Sequence, residues 1–158
     1  MRIRILFLQF CVFIAFLIDM ALSIFAFWPL TGRLITIYRN AQTAILAGTG
    51  LYFAAVVFAI ACWTGWQLLR TIQQQKAFSQ RAVDLLRRLK WSVSAFACGL
   101  MVTLPQMYVV TQSEDAPGLI LITCTIIMVP VVVAVFLAIL QRLWQSALDY
   151  KTDSDLTV

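Results

Sequence analysis

Four long apolar stretches alternate with short polar ones along this chain, and the polar breaks carry most of the architectural information. The first stretch, Ile5 to Trp28, is interrupted only by Gln9, Asp19 and Ser23, and Pro29 closes it. About 20 apolar residues cross a bilayer as a helix, so this stretch predicts one tilted crossing. Further spans are predicted over residues 44–69, 91–110 and 118–140, the last without a single charge. The connector from Leu30 to Thr43 mixes Arg33, Arg39 and Asn40 with Leu34, Ile35, Ile37 and Tyr38, which suits a partly interfacial loop. Trp63 and Trp66 stand near the end of the second span, where amphipathic rings favour the headgroup level.

The break over residues 70–90 is different in kind, because it holds Arg70, Lys76, Arg81, Arg87, Arg88 and Lys90 against the single acid Asp84. Short loops rich in Lys and Arg stay on the cytoplasmic side of a membrane. Within this break Ser79 can cap a helix, with Phe78 placed to staple onto Val83. From Gln80 the spacing predicts a helix running into the third span, with Val83, Leu86, Leu89 and Lys90 on a face for lipid or a partner. Arg81, Arg87 and Arg88 reach outward. The loop from Thr111 to Pro117 carries Glu114 and Asp115 and no base, as expected outside. The tail, 141–158, is predicted to be helical through Trp144, Ala147 and Leu148 and frayed from Thr152 onward.

Composition agrees with this layout: 62% of the 158 residues are hydrophobic and 12% are charged, outside the range of soluble domains. Ten of the twelve bases, namely Arg2, Arg4, the six of the central break, Arg142 and Lys151, fall on one predicted side, and only Arg33 and Arg39 fall on the other. The expectation is therefore an all-α integral membrane protein in the bacterial cytoplasmic membrane, a single domain with four transmembrane helices and both termini cytoplasmic. The opening apolar stretch is read as a span that also directs insertion, since it exceeds a signal-peptide core.

The chain has no His, which excludes His-based triads and the usual metal and proton-relay sites. Cys11, Cys62, Cys98 and Cys124 lie inside apolar stretches and read as reduced, hydrophobic fillers. Three of them share a depth that invites a soft-metal site, but no Cys-x-x-Cys spacing or neighbouring carboxylate supports one, so no metal and no cofactor is expected. No phosphate-binding loop, nucleophile elbow or metalloprotease helix is present, and an enzyme is not expected. Asp19 is the only acid inside a span, and an acid at the bilayer centre costs roughly 3 kcal/mol on insertion scales. Counted inward from the outer ends, it shares a depth with Tyr52, Thr103, Gln106 and Thr125, which predicts a polar layer that either holds the helices together or lines a small cavity. Pro105 and Pro130 predict kinks. Small residues at helical spacing, Ala47, Gly50, Ala54, Ala61 and Gly65 in the second span and Ser92, Ala95 and Gly99 in the third, predict close helix approach, within the chain rather than between copies.

Several short segments carry a family likeness: Phe78 and Ser79 leading to Leu86, Arg87 and Leu89; Asp115, Ala116, Pro117, Gly118 and Leu119; and the terminal Asp155, Leu156, Thr157 and Val158. On these the chain resembles the bacterial membrane family of domain of unknown function 2975 (DUF2975), with Gln75, Lys76 and Ala77 where a Gly-containing turn is usual. The resemblance implies no catalytic residues, and it implies a setting beside a small helix-turn-helix regulator. The expected function is a non-enzymatic membrane regulator or sensor. Lys76, Arg81, Arg87, Arg88 and Lys90 would meet a cytoplasmic DNA-binding partner or anionic lipid, together with the acids Asp149, Asp153 and Asp155. Direct nucleic-acid binding is not expected and a homo-oligomer is left open. The competing readings are a small transporter or bacteriocin-immunity-type protein using Asp19, and a structural subunit of a membrane complex.

Overall fold

The computed structural model describes residues 2–25, 29, 32, 33, 36, 41–74 and 79–156. Among these residues the helices with full bounds are α1, Arg2–Phe25; α2, Ala41–Gln73; α3, Gln80–Met101; α4, Leu104–Ser113; and α5, Gly118–Leu156. Four helical stretches are long and apolar enough to cross a membrane, Ile5–Phe25, Gln42–Gln73, Gln80–Ser113 and Gly118–Tyr150, with α3 and α4 making up the third. The protein is an all-α integral membrane protein with four spans.

The third span is broken. Pro105 has no N–H to offer the carbonyl of Met101, and the chain tightens into a turn in which the Thr103 amide and hydroxyl both donate to the Leu100 carbonyl, at 3.0 and 2.7 Å. A new helix then starts with Pro105 in its first turn, where the missing donor does no harm. Pro130 behaves otherwise: it is buried inside α5, which passes through it without interruption. Packing against neighbouring helices lets a spanning helix tolerate such a residue.

α2 and α3 form the central pair, α5 lies on α3, and α4 bridges α2 and α5. Among the described residues α1 has substantial packing only on α2, so the bundle is open along that edge. The α2–α3 crossing is made at glycine: a Cβ on Gly50 would lie 2.9 Å from the Gly99 carbonyl oxygen and 2.9 Å from Val102 Cβ. Phe58 and Phe96 extend the contact, with ring centroids 5.3 Å apart. Ala47, Ala54 and Ala61 are buried along the same seam, as the small-residue spacing predicts, while Ser92 and Ala95 are only half-buried. Gly65 does not take part, since a Cβ there would meet nothing within 4 Å.

A hydrophobic cluster sits toward the end of the bundle where α2 finishes, α3 begins and α5 leaves the apolar span. Leu68, Ala82, Leu85, Leu86 and Leu137 are buried there, flanked by Ile72, Leu89, Val93, Leu140 and Trp144. At 1.5 Å per residue α2 and α5 are roughly 50 and 58 Å long, well beyond a hydrocarbon core of about 30 Å. α5 continues beyond the apolar span as helix to Leu156, past Thr152. Its continuation is anchored by Leu140 and Trp144 on the cluster, so hydropathy, which ends near Leu140, underestimates the helix.

The opposite connection is a tight turn. Glu114 caps α4, Asp115 adopts φ 48°, and the Ala116 amide reaches back to the Thr111 carbonyl at 3.2 Å, a Schellman closure that delivers Pro117 and Gly118 to the start of α5.

Candidate functional site

The charged end is built on the first three turns of α3. Ser79 takes extended dihedrals and accepts from the Ala82 amide at 3.4 Å, fixing where the helix starts. Phe78, the predicted staple, lies outside the described residues, as does Lys76. From that start Ala82, Val83, Leu85 and Leu86 are buried while Arg81, Asp84, Arg87 and Arg88 are exposed. The apolar face is therefore consumed within the protein, against α2 and α5, rather than left for lipid or a partner. What remains outward is a face with three guanidinium groups and one carboxylate, Asp84 standing three residues from Arg81 and Arg87 and four from Arg88.

Lys90 does not belong to that face. It is half-buried and lines a groove of about 370 Å³ between α3 and α5, with Ser94, Ala97, Met101, Val131 and Ala134 among its walls. Its Nζ lies 5.9 Å from the centroid of the Trp91 ring. Arg70 on α2 and Arg142 on α5 are exposed near the same end. In the tail, Asp149 is exposed and its Oδ1 accepts from Gln145 Nε2 at 3.3 Å, one turn earlier on its own helix. The side chains of Asp153 and Asp155 lie outside the described ones.

The predicted polar layer divides into three. Asp19 is half-buried on the α1–α2 seam and shares a groove with Tyr52, while Ser23, one turn on, donates to the Asp19 backbone carbonyl at 2.9 Å. Thr103 and Gln106 are buried together at the α3–α4 break. Thr125 is exposed on α5 and its hydroxyl donates to its own helix at the Leu121 carbonyl, 2.8 Å away. Equal depth does not place residues on equal faces: Thr125 is two residues from buried Ile127, about 200° around the helix, and so turns to lipid.

Gln106 is the least expected member. It is fully buried, and among the described residues neither Nε2 nor Oε1 has a hydrogen-bond partner. Sequence reasoning missed Gln9, which is 8% exposed, and the buried Thr64 and Thr71, whose hydroxyls turn back to the carbonyls of Ile60 and Gln67. Gln9 could have been found, since Gln9, Asp19 and Ser23 fall within an arc of about 80° at 3.6 residues per turn, which marks the inward face of α1. Cys11, Cys98 and Cys124 are exposed and Cys62 half-buried. The described residues contain no group of three or more Cys, Asp or Glu able to hold a metal ion.

A family model described as "Protein of unknown function (DUF2975)" matches residues 33–158. The chain is also 37% identical over 108 residues to the uncharacterized membrane protein YoaS of Bacillus subtilis strain 168, covering 68% of each chain. No solved structure matches.

Proposed function

Because the chain belongs to the DUF2975 family and is a multi-pass protein of the bacterial plasma membrane, we propose that it is a non-enzymatic regulator whose charged end docks a soluble protein. In this reading the end formed by Arg70, the start of α3 and the tail of α5 faces the cytoplasm, with both termini inside. The distribution of bases supports that orientation, ten against two. The partner is a protein with an acidic surface, such as the small DNA-binding regulator that the family resemblance implies.

One observation carries the proposal. The underside of the basic segment is packed to completion, with Ala82 at 0% and Leu86 at 1% exposure, so Arg81, Arg87 and Arg88 stand on a fixed platform. A topology signal needs only charge in a loop; it does not need its bases set in register over a hydrophobic cluster that ties three helices together. Electrostatic complementarity of this kind governs partner choice and association rate. Any change in how α2, α3 and α5 meet is passed to the face directly, which is how a state of the membrane bundle would hold or release the partner. The small-residue seam, by contrast, is used inside the chain at the Gly50–Gly99 crossing and supplies no argument for a subunit contact.

The test is purification from the native host in mild detergent, comparing the wild type with a variant carrying Arg81→Gln, Arg87→Gln and Arg88→Gln. A soluble protein that co-purifies with the wild type and is lost from an equally inserted variant supports docking. Retention of the same protein, or its absence from both, removes the proposal.

A further inference from the structure

The seam between α1 and α2 is lined unlike the rest of the membrane-facing surface. On one side of Asp19 a groove of about 430 Å³ is walled by Met20, Ala55, Val56, Ala59 and Ile60, with Ser23, Tyr52 and Trp63 completing it. Trp63 also lines the next groove along the same two helices, about 350 Å³, with Phe13, Phe16 and Trp66. On the opposite flank of α1, Asp19 reaches a third cleft, about 350 Å³, between Ile18, Ala54, Phe58 and Phe96. The acid is thus set among apolar walls with aromatic rings on the two helices beside it. Among the described residues α1 packs substantially on α2 alone and Trp63 is 67% exposed, which leaves the seam reachable from lipid.

We propose that the α1–α2 seam is a binding site for a lipophilic organic cation, entered sideways from the bilayer. Charge complementarity selects the occupant. Asp19 is the one charged residue in this groove, walled mainly by Ala, Val, Ile and Met with Ser23, Tyr52 and Trp63; its carboxylate is satisfied by a countercharge, and an anionic or neutral apolar molecule gains nothing from it. Tyr52 and Trp63, eleven residues apart on α2 and so roughly 16 Å along it, stand at the two ends of the groove; an aromatic face attracts a cation within about 6 Å of its centroid, and Trp is the strongest such ring. The second groove, with its Phe and Trp walls, receives the apolar body. Each groove, about 430 and 350 Å³, lies in the lower part of the range for small-molecule sites, and the pair together fits a monovalent amine or phosphonium of a few rings rather than a metal ion or a lipid with two chains. This site would supply the regulatory reading with its input, but it is tested without any soluble partner, so either can fail while the other stands.

The experiment uses the full chain in phosphatidylcholine nanodiscs, with empty nanodiscs as reference, and follows tryptophan fluorescence during titration with tetraphenylphosphonium. Tetraphenylborate, of the same size and opposite charge, is the control. The expected result is saturable binding of the cation and none of the anion, at least a tenfold loss of affinity in Asp19→Asn, and a smaller loss in Asp19→Glu. Trp63→Leu, which keeps the acid, weakens binding of the cation as well and guards against a folding defect in the Asp19 variants. Equal behaviour of the two ions, or equal titration of wild type and a folded Asp19→Asn, overturns the proposal. So does a change in oligomeric mass in Asp19→Asn without cation binding by the wild type, which would mean that a second copy covers the seam.

Discussion

Replacing Gly50 by Ala places one methyl group at the α2–α3 crossing, where its surroundings are tight. The added Cβ would lie 2.9 Å from the Gly99 carbonyl oxygen, 2.9 Å from Val102 Cβ and 3.0 Å from Val102 Cγ1. Optimal carbon–carbon separation is about 3.5–4.0 Å, so the methyl intrudes on Val102 by more than half an ångström. Neither neighbour yields cheaply: one is helix backbone and the other caps α3 at the break. Overpacking of this kind costs typically 1–3 kcal/mol, and the helix preference of Ala over Gly returns at most about 1. The expected net loss is on the order of 1–2 kcal/mol. Gly99→Ala should lose less, because its Cβ first meets Phe53 Cδ1 at 3.0 Å, the edge of a half-exposed ring that can swing, then Ala54 Cβ at 3.1 Å. Gly65→Ala meets nothing and should be neutral or slightly stabilising. Unfolding by sodium dodecyl sulfate titration, read by far-ultraviolet circular dichroism and tryptophan fluorescence, ranks the three variants. The order Gly50, Gly99, Gly65 is the prediction, and a Gly65→Ala as damaging as Gly50→Ala would refute the assigned crossing.

Three further outcomes can be read in the same assay. Leu86→Ala empties the centre of the three-helix cluster, where Leu86 is 1% exposed, and should cost about 2–5 kcal/mol, whereas Arg87→Ala on the exposed face should stay within about 0.5 kcal/mol of wild type. Gln106→Leu exchanges a fully buried amide that has no partner among the described residues for an apolar side chain of similar length. It should stabilise by about 1–3 kcal/mol, and a loss would reveal a polar partner at the α3–α4 break. Asp115 holds φ 48°, so Asp115→Gly should gain up to about 1 kcal/mol and the β-branched Asp115→Val should lose stability.

The spans were legible because hydrophobic length is a direct physical requirement of the bilayer. The ends of the helices were not, because they are set by packing. α2 reaches Gln73 and α5 reaches Leu156 on the strength of contacts made by Ile72, Leu140 and Trp144, which no hydropathy window registers. Gly50 and Gly99 were readable from small-residue spacing, yet Gly65 continues the same spacing and meets nothing, because the α2–α3 contact has passed to other residues by that point. The two prolines looked alike in sequence. Only the Thr103 turn beside Pro105 separates a break from a helix that carries its proline through. At the charged end, the helical spacing of Val83, Leu86 and Leu89 set Arg81, Arg87 and Arg88 outward, and the structure has all three exposed, while the buried Ala82 and Leu85 were not read. Lys90, at the edge of that face, went to a groove instead. The polar layer failed as one unit because depth was estimated without helix phase, so residues at one level were scattered over three faces.

The central claim, that the basic face of α3 meets a soluble protein, is tested most directly by a photo-crosslinking amino acid introduced into the membrane protein in living host cells. Asp84 is the position of choice, since it is exposed on that face and its replacement leaves all three arginines in place. Val132, 65% exposed on the apolar span of α5, is the reference. The account predicts a covalent adduct with one soluble cytoplasmic protein from position 84 and none from position 132. Irradiation that yields no protein adduct at position 84, or the same adducts at both positions, would contradict it.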